Sequence, residues 1–81
     1  MPYANYSFAE VEAWGEDIYE QKIRPLVEAG NKGKYVVIDI ESGDYEIDDD
    51  DLQATKRVLA KRPSAVLYGV RVGYLTAYTL V

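Results

Sequence analysis

"YVVIDIESGDYEIDDDDL", Tyr35 to Leu52, alternates apolar and acidic residues, breaks at Ser42 and Gly43, and closes on four consecutive aspartates. Val36, Ile38 and Ile40 fall on one side of a strand and Asp39 and Glu41 on the other, and Tyr45 and Ile47 continue the alternation after the break. The stretch is therefore predicted to be a β-hairpin. A two-residue turn at Ser42 and Gly43 sets Ile40 opposite Tyr45, Ile38 opposite Ile47 and Asp39 opposite Glu46, so that the apolar sides coincide; a four-residue loop preserves that match. A three-residue bulged loop would set Ile40 against Asp44 and is rejected on register.

Asp48 to Asp51 lead into "LQATKRVLAKR", with acids at the start and Lys56, Arg57, Lys61 and Arg62 toward the end. This ordering complements a helix dipole, and an Asx cap accounts for part of the aspartate run. Leu52, Thr55, Val58 and Leu59 form the expected inward stripe, and Pro63 stops the helix. "AVLYGVRV" reads as a third strand, apolar on both faces in its first half as a well-covered strand would be. The tail "GYLTAYTLV" is ambiguous between strand and helix.

Upstream, Ser7 and Glu10 have capping-box spacing. Phe8, Val11, Trp14 and Ile18 recur at three- and four-residue intervals as the docking stripe of an amphipathic helix. Gly15 within it weakens the helix and offers a neighbour close approach. Pro25 cannot donate to the carbonyl of Gln21, so the helix kinks there or restarts with Pro25 in its first turn, and Gly30 closes it.

These elements give a single domain over residues 1–81 of the α+β class, in the order helix, β-hairpin, helix, strand. "YVVIDI" is the most apolar strand and is predicted to be central in a three-stranded antiparallel sheet of order 2-1-3, with both helices on one face. The open face then carries Asp39, Glu41, Asp44, Glu46 and Arg71. Like charges opposite one another are destabilising. With Val70 and Val72 facing the core, Arg71 can lie beside Asp39 and relieve part of that repulsion.

A chain of 81 residues, 48% of them hydrophobic, has a thin margin of stability from its core alone. It has no cysteine with which to supplement that core, which makes self-association, as a homodimer, a plausible supplement. No apolar run approaches the roughly 20 residues that span a bilayer. "MPYANYSFAEVE" lacks a basic region followed by an apolar one, so a cytoplasmic location is expected, with no membrane partner. A net charge of −5 disfavours nucleic acid.

Catalysis has little to work with. The chain has no histidine and no cysteine, its serines sit at cap and turn positions, and no nucleophile elbow or phosphate-cradling glycine loop is present. No enzyme activity, catalytic residue, cofactor or metal ligand is expected. Paired carboxylates such as Asp39 and Glu46 could act in acid–base chemistry only if burial raised one pKa. The alternation of Asp44, Glu46, Asp48 and Asp50 suggests a divalent-cation site on the hairpin, but Asp49 stands where a calcium loop needs glycine. Cation binding through the hairpin carboxylates is the alternative to an interaction role.

Eight tyrosines are many for so short a chain, and Tyr68, Tyr74 and Tyr78 gather near its end, where they suit an interface or complete a small core. At "IYEQKIRPLVE", "GKYVVIDIESGDYEIDDDDL" and "YGVRVGY" the chain resembles an uncharacterised family of short bacterial proteins, frequent in cyanobacteria. The resemblance covers Ile18 to Tyr78. It implies a cytoplasmic protein encoded beside another small gene, in the manner of antitoxin-like partners of toxins or of small retropepsin-like proteases. The expected function is a non-enzymatic interaction module, antitoxin-like or an adaptor. It would present its acidic sheet face or tyrosine-bearing edge to a protein partner such as the product of an adjacent gene.

Overall fold

In a computed structural model, which describes residues 6–74 and the backbone of residues 77–78, Tyr35–Asp39 (β1) lies inside a sheet of order β2-β1-β3-β4. Here β2 is Tyr45–Asp48, β3 is Leu67–Arg71 and β4 is Ala77–Tyr78, and all neighbours are antiparallel. The α+β class and the 2-1-3 order are those the sequence predicts. β4 adds a two-residue rung outside β3 at Gly69 and Val70. The side chain of Tyr78 and the remainder of the tail lie outside the described residues.

The first helix begins as expected. Ser7 Oγ accepts from the Glu10 amide at 3.1 Å, and the Glu10 carboxylate accepts from the Ser7 amide at 2.8 Å. Helix α1 runs Phe8–Ile18, widens into a π-helical turn at Tyr19–Ile23, and resumes as α2 at Arg24–Val27. The π turn is the physical answer to Pro25. The amide of Arg24 reaches back five residues to Tyr19, and the chain restarts with proline in the first turn of α2, where no amide is required. Ser7→Ala is expected to cost about 1 kcal/mol of unfolding free energy, read from urea denaturation.

Three expectations are corrected. The hairpin pairs Ile38 with Tyr45, Val36 with Ile47 and Val37 with Glu46, two residues away from the two-residue-turn register. Side-chain parity is unchanged. Ile40 leaves β2 because its amide donates to Val66 O at 2.9 Å, so it joins the β3 side, and residues 40–43 form the loop. Gly43 closes that loop at φ +83°, donating to Asp39 O at 2.8 Å, a conformation that favours glycine.

The helices do not share one face of the sheet. Val11, Ile18, Tyr19, Ile23 and Val27 pack with Val36, Ile38, Tyr68 and Val70 on one side. The third helix, α3 (Asp51–Lys61), packs through Ala54 and Val58 against Val37, Ala65 and Leu67 on the other. The reason is Val37 and Leu67: without α3 these apolar side chains would face water, at about 1.5–3 kcal/mol each.

The helical stripes are also narrower than expected. Phe8 (57% exposed), Trp14 (46%) and Leu52 (55%) stand outside the core. Helix α1 docks instead along Val11, Gly15 and Ile18. Gly15 brings its backbone onto the ring of Tyr68, which turns Trp14 to the flank, where it meets Tyr6 edge-on at 5.7 Å.

Candidate functional site

The acidic face predicted to be open is covered by α3. Glu46 accepts from Arg57 Nε at 3.0 Å and from Lys61 Nζ at 2.5 Å. Asp48 accepts from Arg57 at 3.3 Å. Glu41 accepts from Arg62 at 3.3 Å and from the Tyr6 hydroxyl at 3.0 Å. The basic partner of the hairpin is thus the second half of α3 together with Arg62, the residue after it. Among the described residues no group of three histidine, cysteine or acidic side chains could hold a metal ion.

Asp39 is 1% exposed and joins three segments. Its Oδ1 accepts from the amides of Glu41 (3.1 Å) and Val66 (3.2 Å), and its Oδ2 accepts from Ser42 Oγ (2.8 Å) and Arg62 Nη1 (2.6 Å). An aspartate at the end of a strand turns the following backbone in this way, because its short side chain reaches the amide two residues on. Asp44 remains exposed and contributes through its backbone, accepting from the Asp39 amide at 2.8 Å and donating to Ser42 Oγ at 3.1 Å.

Arg71 is on the expected face but at the far end of it, corrected from a place beside Asp39. Antiparallel pairing puts Arg71 opposite Tyr35 and Leu67 opposite Asp39. Its guanidinium lies 4.2 Å from the Tyr74 ring centre and 5.2 Å from that of Tyr35, and Nε donates to Gly33 O at 3.0 Å. The cation that reaches Asp39 is Arg62.

Hydrogen bonding from Lys61, then from Arg57, holds the Glu46 carboxyl below the usual carboxylate range. Its folded pKa is depressed, so the stability it contributes is fully present above the unfolded value of about 4.3 and is lost as pH falls through the lower folded one. Glu46→Gln is expected to flatten the decline of the urea midpoint between about pH 5 and pH 3. A wild-type slope in the variant would contradict this role.

A second polar feature lies between the α1 helix with its π turn and the end of β3. It is a groove of about 690 Å³ with Glu12, Glu16 and Glu20 on its helical side and Tyr68, Tyr74, Arg24 and Lys32 also in its wall. Tyr68 is 3% exposed. Its ring is held under Gly15, and the residue lines the groove. Burial, and then the charges of Glu16, Glu12 and Glu20, push the phenol up to about 12. Among the described residues the hydroxyl has no hydrogen-bond partner. Arg24 spans Glu20 and Glu28 at 2.8 and 2.5 Å, whereas Glu12 and Glu16 form no ion pair among the described residues, with Lys32 elsewhere in the groove wall.

Of the residues expected to form an interaction surface, Asp39, Glu41 and Glu46 are engaged by α3 or the residue following it, and Asp44 is exposed. Arg71 and Tyr74 stack together, and Tyr68 is directed to the opposite side of the sheet, under α1. The glutamate stripe was missed. Its signal was present, since Glu12, Glu16 and Glu20 recur every four residues, a spacing at which like charges repel. Among the described residues no helix is long and apolar enough to cross a membrane. No family model, curated protein or solved structure matches the chain.

Proposed function

We propose that the protein is a small, non-enzymatic, cytoplasmic interaction module whose docking surface is the groove between α1 and β3. The observation that carries this reading is the groove itself. It combines two exposed glutamates without an ion pair and a buried tyrosine hydroxyl without a hydrogen-bond partner, both among the described residues, with the half-exposed ring of Tyr74. Buried polar groups are ordinarily satisfied, and one that opens onto a concave surface marks a place where a ligand group can complete it. The hairpin carboxylates no longer favour cation binding, because α3 and Arg62 supply cations to Asp39, Glu41, Glu46 and Asp48. A partner encoded beside this chain, in antitoxin-like fashion, is the first to test.

The test is affinity purification from the native host, identification of the partner, and reconstitution from pure components with hydrogen-exchange footprinting. Protection is expected along Glu12–Glu20 and at Tyr68–Tyr74. A footprint on α3, or a chain with no stoichiometric partner and no self-association, would remove the proposal.

A further inference from the structure

We infer that Glu12 and Glu16, with Tyr68 in the same groove, receive one arginine side chain from the partner protein. The inference rests on the groove being the docking surface and adds the chemistry of what enters it.

The same helical face already shows the geometry. Arg24 bridges Glu20 and Glu28, carboxylates four residues to either side of it, through Nη1 and Nε. A planar guanidinium presents donors in two directions at once, which an ammonium does not. Glu12 and Glu16 are four residues apart, half the separation of Glu20 and Glu28, and so are neighbours on the helix surface close enough for one guanidinium to meet both from outside. They have no such bridge among the described residues.

Three further observations converge on a cation. Glu12, Glu16 and Glu20 repel one another along one stripe, a cost that an incoming positive charge reverses. Tyr68, 3% exposed, carries a phenol oxygen that can accept from the same guanidinium, and burial beside Glu16, Glu12 and Glu20 keeps that phenol neutral. The groove, at about 690 Å³, has space for the stem of a long side chain as well as its head. Of the chain's own cations Arg24 is held by Glu20 and Glu28, and Lys32 lies along Gly73 at the β3 end of the groove without an ion pair to Glu12 or Glu16; residues 73–81 contain no lysine or arginine.

The experiment is an NMR titration of the isotope-labelled full chain at low salt. It uses a blocked Gly-Arg-Gly-Arg-Gly peptide, the same peptide with citrulline for arginine, and spermidine. The arginine peptide is expected to shift the amides of Glu12, Glu16 and Tyr68 and to bind roughly ten-fold more tightly than the citrulline peptide. Glu16→Gln should weaken it roughly five-fold while the thermal midpoint stays level or rises, since one repulsive pair is gone. Tyr68→Phe should also weaken it, without loss of stability.

Equal affinity for the citrulline peptide or for spermidine would overturn the arginine assignment, as would shifts confined to α3 or an unaffected Glu16→Gln variant. In those cases a reconstituted partner still footprinting on the groove would leave the docking surface standing. Loss of that footprint as well would remove both.

Discussion

Asp39→Ala is expected to lower the unfolding free energy by about 3–5 kcal/mol, the largest effect of any single substitution on this hairpin. The carboxylate accepts from the amides of Glu41 and Val66, the Ser42 hydroxyl and the Arg62 guanidinium. Bonds to a charged acceptor contribute about 1.5–3 kcal/mol each, but the carboxylate also loses its hydration on burial, so the net is well below the sum. Alanine leaves the Val66 amide buried without an acceptor and frees the loop after β1. For a domain of this size the thermal midpoint should fall by about 15–25 °C. Asp39→Asn, which retains the shape and one acceptor, should fall between alanine and wild type. A loss under about 1 kcal/mol for alanine would mean that desolvation cancels the four bonds, and Asp39 would not be what joins the loop to α3 and β3.

Gly15→Ala carries the second large effect, and its sign is the informative part. Helix propensity alone predicts a gain of about 1 kcal/mol. A Cβ at Gly15, however, would lie 2.2 Å from Cγ, 2.5 Å from Cδ2 and 2.6 Å from Cβ of Tyr68. These atoms form the stem of a buried side chain on β3 and cannot swing aside without moving the strand. The helix must lift instead, loosening Val11 and Ile18, and overpacking of this kind costs about 1–3 kcal/mol or more. The net expectation is a destabilisation of about 2 kcal/mol in urea denaturation. A double-mutant cycle with Tyr68→Ala should show strong positive coupling, because removing the ring removes the clash. Stabilisation by Gly15→Ala would show that α1 does not sit on Tyr68.

The misreading of the acidic face has a specific cause. Parity along β1 puts Asp39 and Glu46 on one side, but Val36, Ile38 and Ile40 account for only one of its two apolar faces. Val37 lies between Val36 and Ile38 with no exposure at all, and three successive apolar residues are the mark of a strand covered on both faces. The same signal at Leu67 and Tyr68 in β3 calls for a helix on each face of the sheet. Lys61, Arg57 and Arg62 complement the helix dipole and also neutralise the hairpin carboxylates opposite them. The groove was harder to see, since Tyr68 and the glutamate stripe are some fifty residues apart in the chain, although repulsion along the stripe was visible locally.

Local chemistry in the sequence determined the capped start of α1, the interruption before Pro25, the hairpin's apolar parity and the aspartate-led start of α3. Each depends on residues near one another or on a period of two or four. Which face α3 covers, which cation meets Asp39, and the meeting of Tyr68 with Glu12 and Glu16 were decided only by tertiary structure. Those outcomes depend on how distant apolar surfaces are removed from water together, and charges settle into whatever partnerships that packing brings within reach.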